Sequence, residues 1–255
     1  MATTATDIYV AAFLARCRAL LGFGGRALDA PGIYGLLPMA DDPVTRLLVT
    51  DDRGVDALGA VLPDARGGMI SVFSAAVRCT ELLRRHPEWR PDTATAMVCR
   101  DLRTVPEVGL PGELILRAVR RLSGDKPDDV PLEHAVAAAI MAAPSIEEPP
   151  DVFADYLRSL PSAFRLFAAV DSDGAVRATS GSGAFGAEAT VLFVNTEPGW
   201  RGRGIGTAMT AAALRAAARS GARRAALDSS DAGARIYKRL GFESVGGTTR
   251  YRRAV

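Results

Sequence analysis

Arg201-Gly202-Arg203-Gly204-Ile205-Gly206 lies between two segments of opposite character, and its reading decides the fold. Before it, Ala189-Thr190-Val191-Leu192-Phe193-Val194 is a β-branched, apolar run with the signature of a buried strand. After it, Ile205 to Arg219 is rich in Ala and Leu and predicts a helix, with Gly221 placed to end it. Glycines between a strand and a helix let the backbone turn tightly and present bare N–H groups. The first N–H groups of a helix have no intrahelical acceptor and carry the positive end of its dipole, so the junction suits a phosphate or pyrophosphate. Spacing excludes two familiar phosphate loops. A dinucleotide fingerprint needs G-x-G-x-x-G, but here the third glycine arrives one residue early, and no acidic residue follows near position 225 until Asp228. A P-loop needs Gly-Lys-Ser/Thr, and the stretch contains no lysine.

What remains is Arg-x-x-Gly-x-Gly preceded by Pro198-Gly199-Trp200, which resembles the pyrophosphate loop of the GNAT superfamily of N-acyltransferases. A second motif supports the resemblance. Ser230 to Phe242, SDAGARIYKRLGF, is similar to the family's other coenzyme-binding helix, N-x-x-A-x-x-L-Y-x-x-x-G-F, with Tyr237, Gly241 and Phe242 in register and Ile236 replacing leucine. Ser230 stands where Asn is usual and Gly233 where Ala is usual; the latter costs about 1 kcal/mol of helix propensity and leaves the tyrosine untouched. The resemblance covers about residues 111–255. It implies an α/β (α+β) fold with a mixed, mostly antiparallel sheet flanked by helices, and acetyl-CoA, or another acyl-CoA, as co-substrate without a metal.

The length of 255 residues allows one large domain or two ordinary ones. Cys17, Cys79 and Cys99 are odd in number and widely spaced, and His86 and His134 are the only histidines, so neither a disulfide framework nor a zinc centre is indicated. A cytoplasmic location fits this cysteine usage. No apolar run reaches the roughly 18 residues of a membrane span, so no membrane association is expected. Ile8 to Leu21 is amphipathic and reads either as a transit peptide or as a helix packing on a core, the latter favoured by Gly22 to Gly25 at its end. Residues 201–255 hold twelve Lys/Arg against three Asp/Glu. A nucleic-acid surface is one reading of that excess, but aromatic interleaving and a helix-turn-helix pattern are missing, and no nucleic acid is expected as a partner.

A Pro/Gly-rich segment, 104–112, suggests a boundary between domains 1–110 and 111–255. The second part reads as a strand (113–119), a polar loop (123–129), helices (131–143 and 150–160), a hairpin (165–170 and 175–180) across Asp171-Ser172-Asp173-Gly174, the 188–196 strand, the glycine loop and its helix, a 224–228 strand, the Tyr237 helix and a final strand, 243–253. Ser180 to Ala187 reads as a hairpin loop or a flexible lip. The first part alternates helix (7–21), strands (33–37 and 45–50), helix (55–62), strand (69–73), helix (75–85) and strand (93–100), which is a smaller α/β domain. It is a degenerate GNAT-like half shaping the acceptor cleft or a homodimer contact, or an unrelated cap. Ala65-Arg66-Gly67-Gly68 is its poor substitute for the glycine loop.

Carried over residue by residue, the resemblance places the pyrophosphate on the N–H groups of Arg203, Gly204 and Gly206. Gly202 shapes the turn, Arg201 and Arg203 add charge-assisted contacts, Val194 to Thr196 hydrogen-bond the pantetheine arm, and Ser230 opens the second motif. Tyr237 is the candidate general acid for the departing sulfur, a phenol with reference pKa near ~10 against ~8.5 for a thiol. Glu188 is a candidate base for the amine of a small molecule or peptide, alongside its reading as an ordinary strand-end carboxylate. Asp228 and Ser229 are a second choice. The expected reaction is direct transfer in a ternary complex. The rival readings are a non-catalytic acyl-CoA-binding regulator and a nucleic-acid-associated protein.

Overall fold

The computed structural model describes residues 3–20, 26–37, 44–119, 130–142, 157–158 and 160–253. The elements run α1 (Ala5–Leu20), β1 (Arg26–Ala30), β2 (Ile33–Leu37), β3 (Val44–Val49), α2 (Val55–Val61), β4 (Gly67–Phe73), α3 (Val77–Arg84), β5 (Arg90–Cys99), β6 (Ile115–Val119) and α4 (Val130–Met141). They continue with β7 (Phe164–Val170), β8 (Val176–Phe185), β9 (Glu188–Thr196), α5 (Ile205–Arg219), β10 (Arg224–Ser229), α6 (Asp231–Arg239) and β11 (Glu243–Arg253). The chain divides into two compact units: Met1–Val98 with Ala226–Arg235 and Glu243–Val255, and Cys99–Ala225 with Ile236–Phe242. Both are assembled from separated stretches, unlike the continuous domains 1–110 and 111–255 read from the sequence. The expected 123–129 loop and nearly all of the 150–160 helix lie outside the described residues.

In the first unit the strands follow the order β1-β2-β3-β4-β11-β5-β10, antiparallel where β1 meets β2, β2 meets β3 and β11 meets β4 and β5, and parallel between β3 and β4. The period of two in the strands builds the core: Leu47 and Val49 of β3, Ile70 and Val72 of β4 and Tyr251 of β11 meet Leu58, Leu83 and Trp89. Tyr9 of α1 stands edge-on to Phe73 with ring centroids 5.5 Å apart. With Ile8, Tyr9, Phe13, Cys17 and Leu20 buried, α1 packs as a core helix.

Sequence reading missed β1. Its half-exposed RALDA has neither alternation nor β-branched residues, so its strand state comes from pairing with β2 across Pro31-Gly32. Gly32 sits at φ +79°, and a Cβ there would lie 2.7 Å from both Asp51 Oδ1 and the Gly54 nitrogen. Arg66-Gly67-Gly68 runs into β4 instead of a helix N-terminus, so it does not stand in for a glycine loop.

In the second unit β9, β8, β7 and β6 form an antiparallel series. Phe167, Ala169 and Ala178 pack with Ile205, Met209, Ala213 and Ala216 of α5, whose alanines leave room for close approach of helix to sheet. Ser180 Oγ donates to the Met209 carbonyl at 2.9 Å. Asn195 Nδ2 donates to the Ala139 carbonyl of α4 at 2.6 Å. The hairpin at 171–174 is as expected, closed by Gly174 N–H to the Asp171 carbonyl at 3.1 Å.

The expected loop over 180–187 is corrected. β8 continues through Phe185, and only Gly186-Ala187 turns. Small residues here answer packing, not flexibility. A Cβ on Gly181 would approach Leu166 Cδ2 at 2.9 Å and Leu192 Cδ1 at 3.0 Å, and one on Gly183 would approach the Phe185 ring at 2.5 Å.

Candidate active site

The stretch 201–206 turns through Gly202 and Gly204, both at φ +79°, a region open to glycine at little cost. A Cβ on either would meet nothing within 4 Å, so the space against the turn is open. Gly204 is the N-cap of α5 and offers no side-chain acceptor. Among the described residues the N–H groups of Gly202 to Gly206 have no acceptor, which leaves a row of donors at the positive end of a 15-residue helix.

The two arginines of the loop are engaged with it. Arg201 Nε donates to the Thr196 carbonyl at 2.9 Å. Arg203 stacks on Trp200 at 4.8 Å, pairs with Glu113 at 2.9 Å and reaches the Gly199 carbonyl at 3.5 Å. Arg177, held by Asp171 and Glu197, lies 5.3 Å from the same Trp200 ring. The loop's charged side chains thus engage the turn and its neighbours, and the donors left without an acceptor among the described residues of the turn are backbone groups. Much of the basic excess in 201–255 is spent similarly, in Arg215–Glu107, Arg224–Glu188, Arg250–Asp92 and Arg253–Glu88 pairs.

The structure brings the loop and the second motif together. A Cβ on Gly206 would lie 3.1 Å from Ile236 Cδ1 and 3.7 Å from Thr196 Oγ1, so the end of β9, the first turn of α5 and the residue before Tyr237 share one spot. Tyr237 is 8% exposed and edge-on to Phe242 at 5.9 Å. Its hydroxyl has no hydrogen-bond partner among the described residues, and burial pushes the phenol up to about 12. Ser230 caps α6, its Oγ accepting from the Gly233 N–H at 3.3 Å.

β9 carries a feature sequence reading missed. Thr179 pairs with Asn195 and Gly181 with Leu192, so Ser180 faces both Phe193 and Val194 in a β-bulge. Phe193 takes φ +56°, a conformation costing about 1–2 kcal/mol for a side-chain-bearing residue, and its carbonyl accepts from Thr179 Oγ1 at 2.8 Å. No Gly, Asn or Asp marks the position, so the sequence gives no signal for it.

Glu188 opens β9, about 26 Å of strand away from Thr196. It is buried, its Oε1 hydrogen-bonds Arg224 Nη2, and its Oε2 is buried without a donor among the described residues. Asp228 accepts from the Tyr9 hydroxyl at 2.6 Å, and that contact together with desolvation raises the Tyr9 phenol well above its ordinary value, burial being the larger cause. Among the described residues no group of three or more His, Cys, Asp or Glu could hold a metal ion, and no helix is long and apolar enough to cross a membrane.

The model of the acetyltransferase (GNAT) domain matches residues 162–244, from the start of β7 into β11, and this stretch contains both motifs. The match thus takes in the strand, glycine loop and helix of the first motif and the whole of the second. Solved structures extend the likeness in fold over nearly the whole chain. A GCN5-related N-acetyltransferase from Kribbella flavida is 19% identical with a TM-score of 0.61, covering 96% of each chain. One from Sphaerobacter thermophilus is 18% identical with a TM-score of 0.55, covering 96% of this chain and 91% of its own. A tandem GNAT protein from the clavulanic acid biosynthesis pathway is 15% identical with a TM-score of 0.50, covering 99% of this chain and 96% of its own. No curated protein sequence matches the chain.

Proposed function

We propose that this protein is an acyl-CoA-dependent N-acyltransferase that moves an acetyl group from acetyl-CoA to an amine by direct attack. The observation that carries the reading is the meeting of an open row of backbone donors at Gly202 to Gly206 with Ile236, the neighbour of Tyr237, at 3.1 Å from the position of a Gly206 Cβ. Open space and unpartnered N–H groups fit a pyrophosphate; the bulge at Phe193–Val194 breaks the ladder where a pantetheine arm would run along β9.

In the reaction the amine nitrogen bonds to the thioester carbon and the carbon–sulfur bond breaks. Holding both reactants supplies much of the rate. The amine would lose its proton to water, since Glu188, tied to Arg224 and about 26 Å of strand from Thr196, lies beyond the reach of an extended pantetheine arm. At about 12, Tyr237 is a weaker acid than its residue type suggests, about 3.5 units above a thiol, so full transfer to the thiolate would cost about 5 kcal/mol. Its part is a hydrogen bond donated to the sulfur as charge develops there.

Residues 1–110 are proposed as a GNAT-like half without a coenzyme of its own. The tandem GNAT likeness supports the first part of that reading, and its own carboxylates support the second. Asp52 Oδ1 accepts from the Arg78 and Cys79 N–H groups at 2.8 and 3.3 Å, filling the first turn of α3. Titration with acetyl-CoA, followed by free-thiol release over a panel of amines, tests the reading; binding without release on any amine would favour a regulator.

A further inference from the structure

The side of the first unit's sheet that carries α1 holds more arginines than its acids can pair. Strand alternation fixes the members of this cluster. Leu47 and Val49, Ile70 and Val72, and Tyr251 face the core, so Arg46 of β3, Ser71 of β4 and Arg250 and Arg252 of β11 lie on the opposite side. Register brings them together: Ser71 stands directly across from Arg250, and Met69 stands between Arg46 on one neighbour and Arg252 on the other. α1 covers this side, with Tyr9 against Phe73, two residues along β4 from Ser71. Arg16 follows Tyr9 by seven residues, two turns on along the same helix face.

Electrostatic reach agrees with the register. Burial and Asp228 raise the Tyr9 phenol, and Arg16 and Arg250 both pull it down, so two guanidinium groups act on one hydroxyl. Burial raises the Cys17 thiol, and Arg16 and Arg46 pull it down, which ties Arg46 to the same helix. The acids are already committed. Asp92 is shared by Arg250 and by Arg252 at 3.8 Å, and Asp228 accepts from Tyr9 at 2.6 Å.

Arg16 and Arg46 are half-buried, and among the described residues neither side chain makes a hydrogen bond or ion pair. Arg16 rests on the Phe13 ring at 5.2 Å with its Nε buried. Arg250 Nε and Ser71 Oγ are also buried with no partner among the described residues, and Ser71 is 1% exposed. Half-buried guanidinium groups without a counter-charge and buried donors without an acceptor both cost free energy, which an oxyanion between helix and sheet would offset. Guanidinium forks and a hydroxyl match the oxygens of a carboxylate or a phosphate.

We infer that Arg16, Arg46, Ser71 and Arg250 form a binding site for the carboxylate or phosphate group of a small molecule, held between α1 and the sheet of the first unit. The site is independent of the acyltransferase reading, since all four residues belong to the first unit and the glycine loop belongs to the second.

The test is calorimetric titration of the full chain with inorganic phosphate and with citrate, in chloride buffer of matched ionic strength. At least one of the two anions binds, phosphate alone marking a phosphorylated ligand and citrate alone a carboxylate one. Arg16→Gln and Arg46→Gln each weaken that binding about 10- to 100-fold, the worth of one charge-assisted contact. Arg18→Gln removes the same charge from an exposed position of α1 and leaves binding unchanged. Ser71→Ala deletes a hydroxyl that has no partner to lose, so in chloride alone its denaturant midpoint does not fall, while binding weakens about 10-fold. If both arginine variants fail to fold, Ser71→Ala decides, and full affinity there overturns the inference. No binding of either anion, an equal loss in Arg18→Gln, or binding that survives both Arg16→Gln and Arg46→Gln, as an anion seated on the glycine loop would, overturns it as well.

Discussion

Replacing Tyr237 by Phe removes one oxygen from a buried ring whose hydroxyl has no hydrogen-bond partner among the described residues, so folding should not suffer near neutral pH. What is lost is a donor to developing sulfide charge. A hydrogen bond to a charged group is worth about 1.5–3 kcal/mol, which lowers kcat about 10- to 150-fold with acetyl-CoA affinity nearly unchanged. The pH dependence sharpens the test. With the folded phenol at about 12, Tyr237 stays protonated across the alkaline range, so no loss of rate between pH 8 and 10.5 traces to it. The same shift enters folding. Because the folded value lies above the unfolded one, near ~10, the stabilisation is complete below pH 10 and is lost as pH rises from 10 to 12. The full difference is about 3 kcal/mol. Thiol-release kinetics and denaturant midpoints at pH 9 and 11.5, each taken as unaltered chain minus variant, measure both effects. Unchanged kcat, or an alkaline limb near pH 9–10 that vanishes in the variant, refutes the hydrogen-bond account.

Gly183→Ala, which places a methyl 2.5 Å from the Phe185 ring and 2.9 Å from Phe164, should cost about 1–3 kcal/mol, read as a lower denaturant midpoint. Gly204→Ala meets open space but holds φ +79°, so it should cost about 1–2 kcal/mol of stability and weaken acetyl-CoA binding in the same titration; a fully stable variant would contradict the left-handed turn. Acetyl-CoA should bind with a stoichiometry of one per chain, since Asp52 occupies the N–H groups at the start of α3; two equivalents would overturn that reading.

The alternating strands and the long alanine helix were legible because their hydrophobic periods are local. Leu47, Val49, Ile70 and Val72 declare the core face of the first unit, and Ile205 to Arg219 declares α5. The glycine loop was legible for the same reason, since its chemistry lies in six consecutive residues. Features that depend on distant partners were not. β1 exists through its pairing with β2, and Gly181 and Gly183 read as a loop until the rings and leucines of neighbouring residues account for them. Phe193 bears a left-handed backbone with no residue type to announce it. The pinning of Arg203 between Trp200 and Glu113 joins residues far apart in sequence, so a charge expected on the phosphate is found holding the turn.

β11 lies between β4 and β5 and hydrogen-bonds to both. A ribosome that has released β4 and β5 has therefore exposed two strand edges whose shared partner is synthesised only after the whole span from Cys99 to Phe242. Until residues 243–253 emerge, those edges are templates for other chains, and the first unit cannot close its sheet. The pairing is also very distant in sequence, which slows its formation. A chaperone that shields strand edges would do more for the yield of this protein than one that shields its helices, and a nascent chain stalled before Glu243 should aggregate where the released protein does not.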